Sequence, residues 1–146
     1  QDDRHVRAAR MAAQAVATTQ REDGWIAGTL DEQWQSSVGY ACVTGIAQMA
    51  LCWLRLAQEG EADALREHAR LAIAYVQRTQ RLADKDPAVR GAIPGSVPIW
   101  GAYSRFEFPN WGAKFFADAS MMQMKDKPVP PVAMRTEPQG DALAPA

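Results

Sequence analysis

Apolar residues recur along this chain at helical intervals in four stretches, separated by breaks rich in glycine and proline. In the first stretch, His5 to Gln20, the residues Val6, Met11, Ala15, Val16 and Thr19 fall broadly on one side of an alanine-rich helix. The run "REDGWIAGTLDEQWQSS" (21–37) interrupts it, with Gly24 and Gly28 as punctuation. A second helix is predicted from Ser37 to Gln58 and is stopped by "EGEAD". The third, Ala64 to Leu82, sets Leu65, Ala69, Ala72, Ile73, Val76 and Thr79 at helical spacing. The loop "ADKDPAVRGAIPGSVP" follows, and Pro109 and Asn110 are start signals for a last helix reaching about Met124. The segment "SVPIWGAYSRFEF" alternates in places, but its prolines and glycines mark extended loop rather than sheet. From Lys125 onward the tail holds five of the nine prolines and lacks the composition to fold alone. The pattern predicts an all-α chain: helical hairpins at 5–58 and 64–124 make up a domain over 1–124, followed by a Pro-rich tail at 125–146.

A repeat lies inside this pattern. "AVATTQR" (15–21) and "YVQRTQR" (75–81) align sixty positions apart, matching Val16 with Val76, Thr19 with Thr79, Gln20 with Gln80 and Arg21 with Arg81. Each match leads through a glycine-bearing loop into a helix of small residues. The expected order is outer helix, loop, inner helix, twice.

Composition narrows the function classes. The chain has 146 residues, 16 basic and 17 acidic, for a net charge of -1, and 47% of it is hydrophobic. That suffices for one domain with a real core. It provides neither a basic field for nucleic acid nor an acidic solvating block. Ser36 to Leu54 is free of charge, but Ser37, Tyr40, Thr44 and Gln48 make it a buried helix rather than a membrane span. The chain begins with Gln1, and the compartment stays open with the cytoplasm favoured. Cys42 and Cys52 fall on one predicted helix about 15 Å apart, too far to pair, and are expected to be small buried hydrophobes.

Candidate chemistry gathers near the loops. On the last helix Asn110, Lys114 and Asp118 stand at i, i+4 and i+8, a narrow polar stripe on a cylinder of Trp111, Phe115, Phe116, Ala119 and Met122. Lys114 would orient an anionic group, and Asp118 would serve as a base or accept a bond from a sugar hydroxyl. The same spacing also fits a solvated Lys114–Asp118 helix pair. Ser37, Tyr40, Thr44 and Gln48 form a comparable stripe on the second helix, facing either a polar cavity or hydrogen-bonding neighbours. The loops add Trp25, Asp31, Glu32, Trp34, Trp100, Tyr103, Arg105 and Glu107. Flat aromatic rings beside carboxylates and a guanidinium suit carbohydrate. Paired carboxylates can hydrolyse a glycoside when about 5–10 Å apart. The alternative role for these tryptophans is to brace the hairpin ends.

"TTQREDGW" (18–25), a helix ending in Gln and followed by a DGW turn, resembles the Q…DGxW signature of terpenoid cyclases. Their α/α-toroid superfamily also includes protein prenyltransferase β-subunits and carbohydrate-active relatives. "VTGIAQMALCWLRL" (43–56) with "GAIPGSVPIWGAYSRFEFPNWGAKFFADA" (91–119) looks like an uncharacterised bacterial toroid family associated with polysaccharide biosynthesis. The more specific part is PNWxxKFFxDA, and the likeness covers residues 8–124. It implies inner helices that form a barrel, outer helices that wrap it, and a ligand entering at one end. A closed ring would need roughly twice this chain. The resemblance therefore implies half a toroid, completed by a missing N-terminal half or by a homo-oligomer.

Absences trim the reactions. The DxDD acid of the cyclases is missing, and "DKD" (84–86) lies in an acidic loop. His5 and His68 sit on predicted outer helices, which argues against a prenyltransferase zinc site, and no phosphate-binding glycine loop occurs. No metal or cofactor is expected. The leading expectation is a domain that binds or modifies a glycan or polyprenyl-linked saccharide. Trp34, Trp100, Tyr103, Arg105, Asn110 and Lys114 would be the ligand contacts, and any acid/base chemistry would fall to Asp31, Glu32, Glu107 and Asp118. The alternative is a noncatalytic helical scaffold that completes its ring with another chain.

Overall fold

The computed structural model describes residues 3–60 and 63–126, and residues 127–146 of the Pro-rich tail lie outside that range. It is mostly helical. The order is α1 (Asp3–Thr19), β1 (Ala41–Cys42), α2 (Val43–Gln58), α3 (Asp63–Thr79), β2 (Ser96–Val97) and α4 (Asn110–Asp126). Among the described residues, no helix is long and apolar enough to cross a membrane.

α2 is the centre. It packs extensively on α3 and α4, while α1 touches α2 and α3 at few points. Ile46, Ala47, Ala50, Trp53, Leu54 and Ala57 of α2 are all buried, and Ala69, Ala72, Ile73 and Val76 of α3 join them. Small residues permit this close approach. A Cβ on Gly112 of α4 would stand 3.1 Å from the hydroxyl oxygen of Thr44. Trp53, fully buried, donates its indole N–H to the Ala13 carbonyl of α1 at 2.9 Å and stacks at a tilt on His68 of α3.

One end of the molecule fixes the helix directions. Asp126, the last residue of α4, accepts from Gln58 at the end of α2 and pairs with Arg66 in the first turn of α3. Arg66 also donates to the Ala57 carbonyl. α2 and α4 therefore run in the same direction, and α3 runs against both.

The two halves follow one backbone plan. Thr19 donates to the Val16 carbonyl at the end of α1, and Thr79 donates to Val76 at the end of α3. The N–H of Arg21 then bonds the Trp25 carbonyl, and that of Arg81 bonds Ala92. Gly24 and Gly91 close these turns at φ +86° and +83°. Beyond them the register is sixty-seven positions, because the second loop is seven residues longer. Gly28 N–H bonds Tyr40 C=O as Gly95 N–H bonds Glu107 C=O, and α2 and α4 start in register at Val43 and Asn110.

Three expectations need correction. The second helix starts at Val43 rather than Ser37, because Tyr40 is bonded to Gly28 and residues 41–42 pair antiparallel with 96–97. That short ladder, Ala41↔Val97 and Cys42↔Ser96, also shows that two residues of "SVPIWGAYSRFEF" are sheet. Cys42 is the N-cap of α2, its sulfur accepting the Gly45 N–H, and Cys52 is exposed rather than buried.

Candidate functional site

The two loops meet at the N-terminal ends of α2 and α4 and are knitted together there. The β1–β2 ladder joins them, and the Tyr40 ring is wedged between Gly28 of one loop and Gly101 of the other. A Cβ on those glycines would lie 2.4 Å and 2.8 Å from Tyr40 atoms. Each loop carries a tight turn near its tip, Trp34 N–H to Asp31 C=O in the first and Gly101 N–H to Pro98 C=O in the second.

These turns hold aromatics outward. Trp34 is 41% exposed, Trp100 63%, Phe106 64% and Trp111 49%. Trp34 and Phe106 both have φ +59°, and Ser104 has φ +45°. A bulky side chain in the left-handed region costs about 1–3 kcal/mol, so the surrounding bonds must impose it. The bonds are visible. Phe106 N–H reaches Ile99 C=O at 2.8 Å, Glu107 N–H reaches Ser104, and Ser96 Oγ donates to the Tyr103 carbonyl. Gly95 is needed beneath them, since a Cβ there would meet the Ser104 Cβ at 2.5 Å. Tyr103 is half-buried, and its hydroxyl accepts the Trp111 indole N–H at 3.0 Å.

The polar candidates divide by what they already hold. Asp31 spends its carboxylate on its own turn, one oxygen accepting the N–H groups of Gln33 at 3.0 Å and Gln35 at 2.7 Å. Asp118 is ion-paired with Lys114, whose ammonium also lies 4.9 Å from the Phe115 ring centroid. Glu32, Arg105, Glu107 and Asn110 are exposed. The Ser37, Tyr40, Thr44 and Gln48 stripe does not form. Ser37 donates to Thr29 in the loop, Thr44 is buried against α4, and Gln48 lines a hollow of about 330 Å3 shared with Ile26, Gly28 and Met49. Burial pushes the Cys42 thiol up, only partly offset by the N–H groups of Gly45 and Thr44, so it caps the helix as a thiol.

The structure thus gathers Tyr103 with Trp111 and Lys114 with Asp118, and leaves Asp31 as a turn-builder. The contact residues expected from the sequence include neither Trp111 nor Phe106. Helical spacing put Trp111 with the core, although its N–H would need a partner if buried, a need that Tyr103 meets at the surface. Nothing in the sequence marked the backbone conformation of Phe106. Among the described residues no group of three His, Cys, Asp or Glu is placed to hold a metal ion. In comparisons with known proteins, no family model matches the chain, and neither a curated protein nor a solved structure matches it.

Proposed function

We propose that this chain is part of an α/α toroid whose loop end binds a glycan or a polyprenyl-linked saccharide, as in bacterial polysaccharide metabolism. The observation that carries the reading is the set of exposed rings Trp34, Trp100, Phe106 and Trp111, two of them on left-handed backbone imposed by the loop bonds. Burying these rings would lower the energy of an isolated domain, so holding them in water under strain supports a ligand-facing role. Sugar CH faces stack on such rings, while Arg105, Glu107 and Asn110 supply hydrogen-bond donors and acceptors at the same end. Of the four candidate acids, Asp31 is bonded to its own turn and Asp118 is paired with Lys114, which favours binding over acid/base chemistry at those two.

A direct test is an array of bacterial capsule and exopolysaccharide fragments, with sugars carried on short polyprenyl diphosphates as a second set. The reading expects a subset to bind, and Trp100→Ala to weaken that binding about tenfold or more with the far-UV circular dichroism unchanged. No bound glycan, or binding indifferent to both Trp34→Ala and Trp100→Ala, would remove it.

A further inference from the structure

The apolar groove between α1 and α2 has a volume of about 590 Å3, and its walls are Ala9, Ala12, Ala13 and Val16 with Met49, Cys52 and Leu56. Its meaning comes from the matching half of the molecule. Sixty positions on, the α1 wall becomes Ala69, Ala72, Ile73 and Val76, the α3 face against which α2 lies. All four are buried, three of them fully. In α1, Ala9 is exposed and Ala12 and Val16 are half open, and Ala13 alone is buried like its counterpart. The α2 wall shows the contrast at one position, where exposed Cys52 corresponds to Ala119 of α4, which is fully buried. So α3 and α4 cradle a helix, α2, while α1 and α2 present a matching cradle that no described residue fills.

The opposite end of the molecule carries the complementary surface. On α2, Ala50, Leu54 and Ala57 are 0%, 2% and 7% exposed. Their counterparts on α4 are Ala117, which is exposed, Met121 at 53% and Met124 at 69%. α4 therefore has the face that α2 buries, with no outer helix to cover it among the described residues. An unfilled cradle and an uncovered helix of the kind that fills it lie at opposite ends of one chain.

We propose that α4 of a second copy docks in the α1–α2 groove, repeating between chains the packing that α2 makes with α3 and α4 within one. The contact is head-to-tail, because the groove and α4 are different surfaces. Copies so joined add by the same step, closing into a ring if the rotation permits and extending if it does not. This inference is independent of what the aromatic end binds.

Sedimentation velocity of the 146-residue chain over a range of concentrations reads it directly. Wild type is expected to self-associate. Ala9→Arg in the groove and Met121→Glu on α4 should each weaken that association by about tenfold or more. Both positions are exposed, so circular dichroism and melting temperature should hold; Ala12→Glu and Met124→Glu are the second pair of variants. The decisive step is mixing the two single variants. Each retains one intact face of opposite kind, so the mixture should form a 1:1 dimer that grows no further. A chain that stays monomeric would overturn the proposal. So would association untouched by either substitution, or variants that fail to complement when mixed.

Discussion

α2 and α4 emerge from matching loops, run in the same direction and lie against each other, yet one is interior and the other surface. Leu54 of α2 is 2% exposed, and Met121, at the matching place on α4, is 53% exposed. Trp53 is fully buried where α4 has Ser120, whose hydroxyl turns back onto the Phe116 carbonyl of its own helix. Composition explains part of the difference, since α4 carries Lys114, Asp118, Lys125 and Asp126 where α2 has only Arg55. Yet α4 also carries Trp111, Phe115, Phe116 and six methionine or alanine positions. Neighbours explain the rest. α2 has α1 and α3 on its flanks as well as α4, while α4 has α2 and a little of α3. The burial of these two helices follows their place in the series as well as their composition.

The strongest way to break this comparison is through the tryptophan. Trp53→Ala removes a fully buried ring and orphans the Ala13 carbonyl, and should cost about 3–5 kcal/mol in urea unfolding. Ser120→Ala should stay within about 0.5 kcal/mol. Next comes Leu54→Ala, expected to cost about 2–4 kcal/mol against about 0.5 for Met121→Ala in dilute, unassociated protein. Equal losses for Leu54 and Met121 would mean the two helices are not differently packed.

The two loop glycines sharpen the argument at smaller scale. Gly24 and Gly91 have nearly equal φ, so alanine strains both backbones alike. A Cβ at Gly24 would also strike the Leu71 carbonyl oxygen at 2.1 Å, whereas at Gly91 nothing lies within 4 Å. Gly24→Ala should lower stability by about 3 kcal/mol and Gly91→Ala by about 1. Their melting curves separate steric overlap from strain. The smallest effect runs the other way. Thr44 is 2% exposed, and its hydroxyl has no hydrogen-bond partner among the described residues. Thr44→Val should therefore stabilise the α2–α4 contact by about 1 kcal/mol.

Much of the helical plan was legible because these helices rest on local signals. Leu65, Ala69, Ala72, Ile73 and Val76 spell one face of α3, and Pro109 announces α4. The start of α2 was not legible, because what ends the loop is nonlocal. Residues 41–42 pair with 96–97, and the Tyr40 ring fills the space that Gly28 and Gly101 leave open. Its cap is a cysteine, where serine, threonine, aspartate or asparagine is the usual signal. At the candidate site, sequence flagged Trp34, Trp100 and Tyr103 by type alone. It could not tell that Asp31 is consumed by its own turn or that Phe106 is held outward, since both depend on loop geometry that side-chain periodicity does not encode.

α4 is a helix of the α2 kind without an outer neighbour among the described residues. Native-state amide hydrogen exchange on dilute protein tests it most directly, because opening free energies follow local packing. Amides around Ala50–Leu54 are expected to exchange only with global unfolding, while those around Ala117–Met121 open at several kcal/mol less. Equal protection of the two stretches would contradict it.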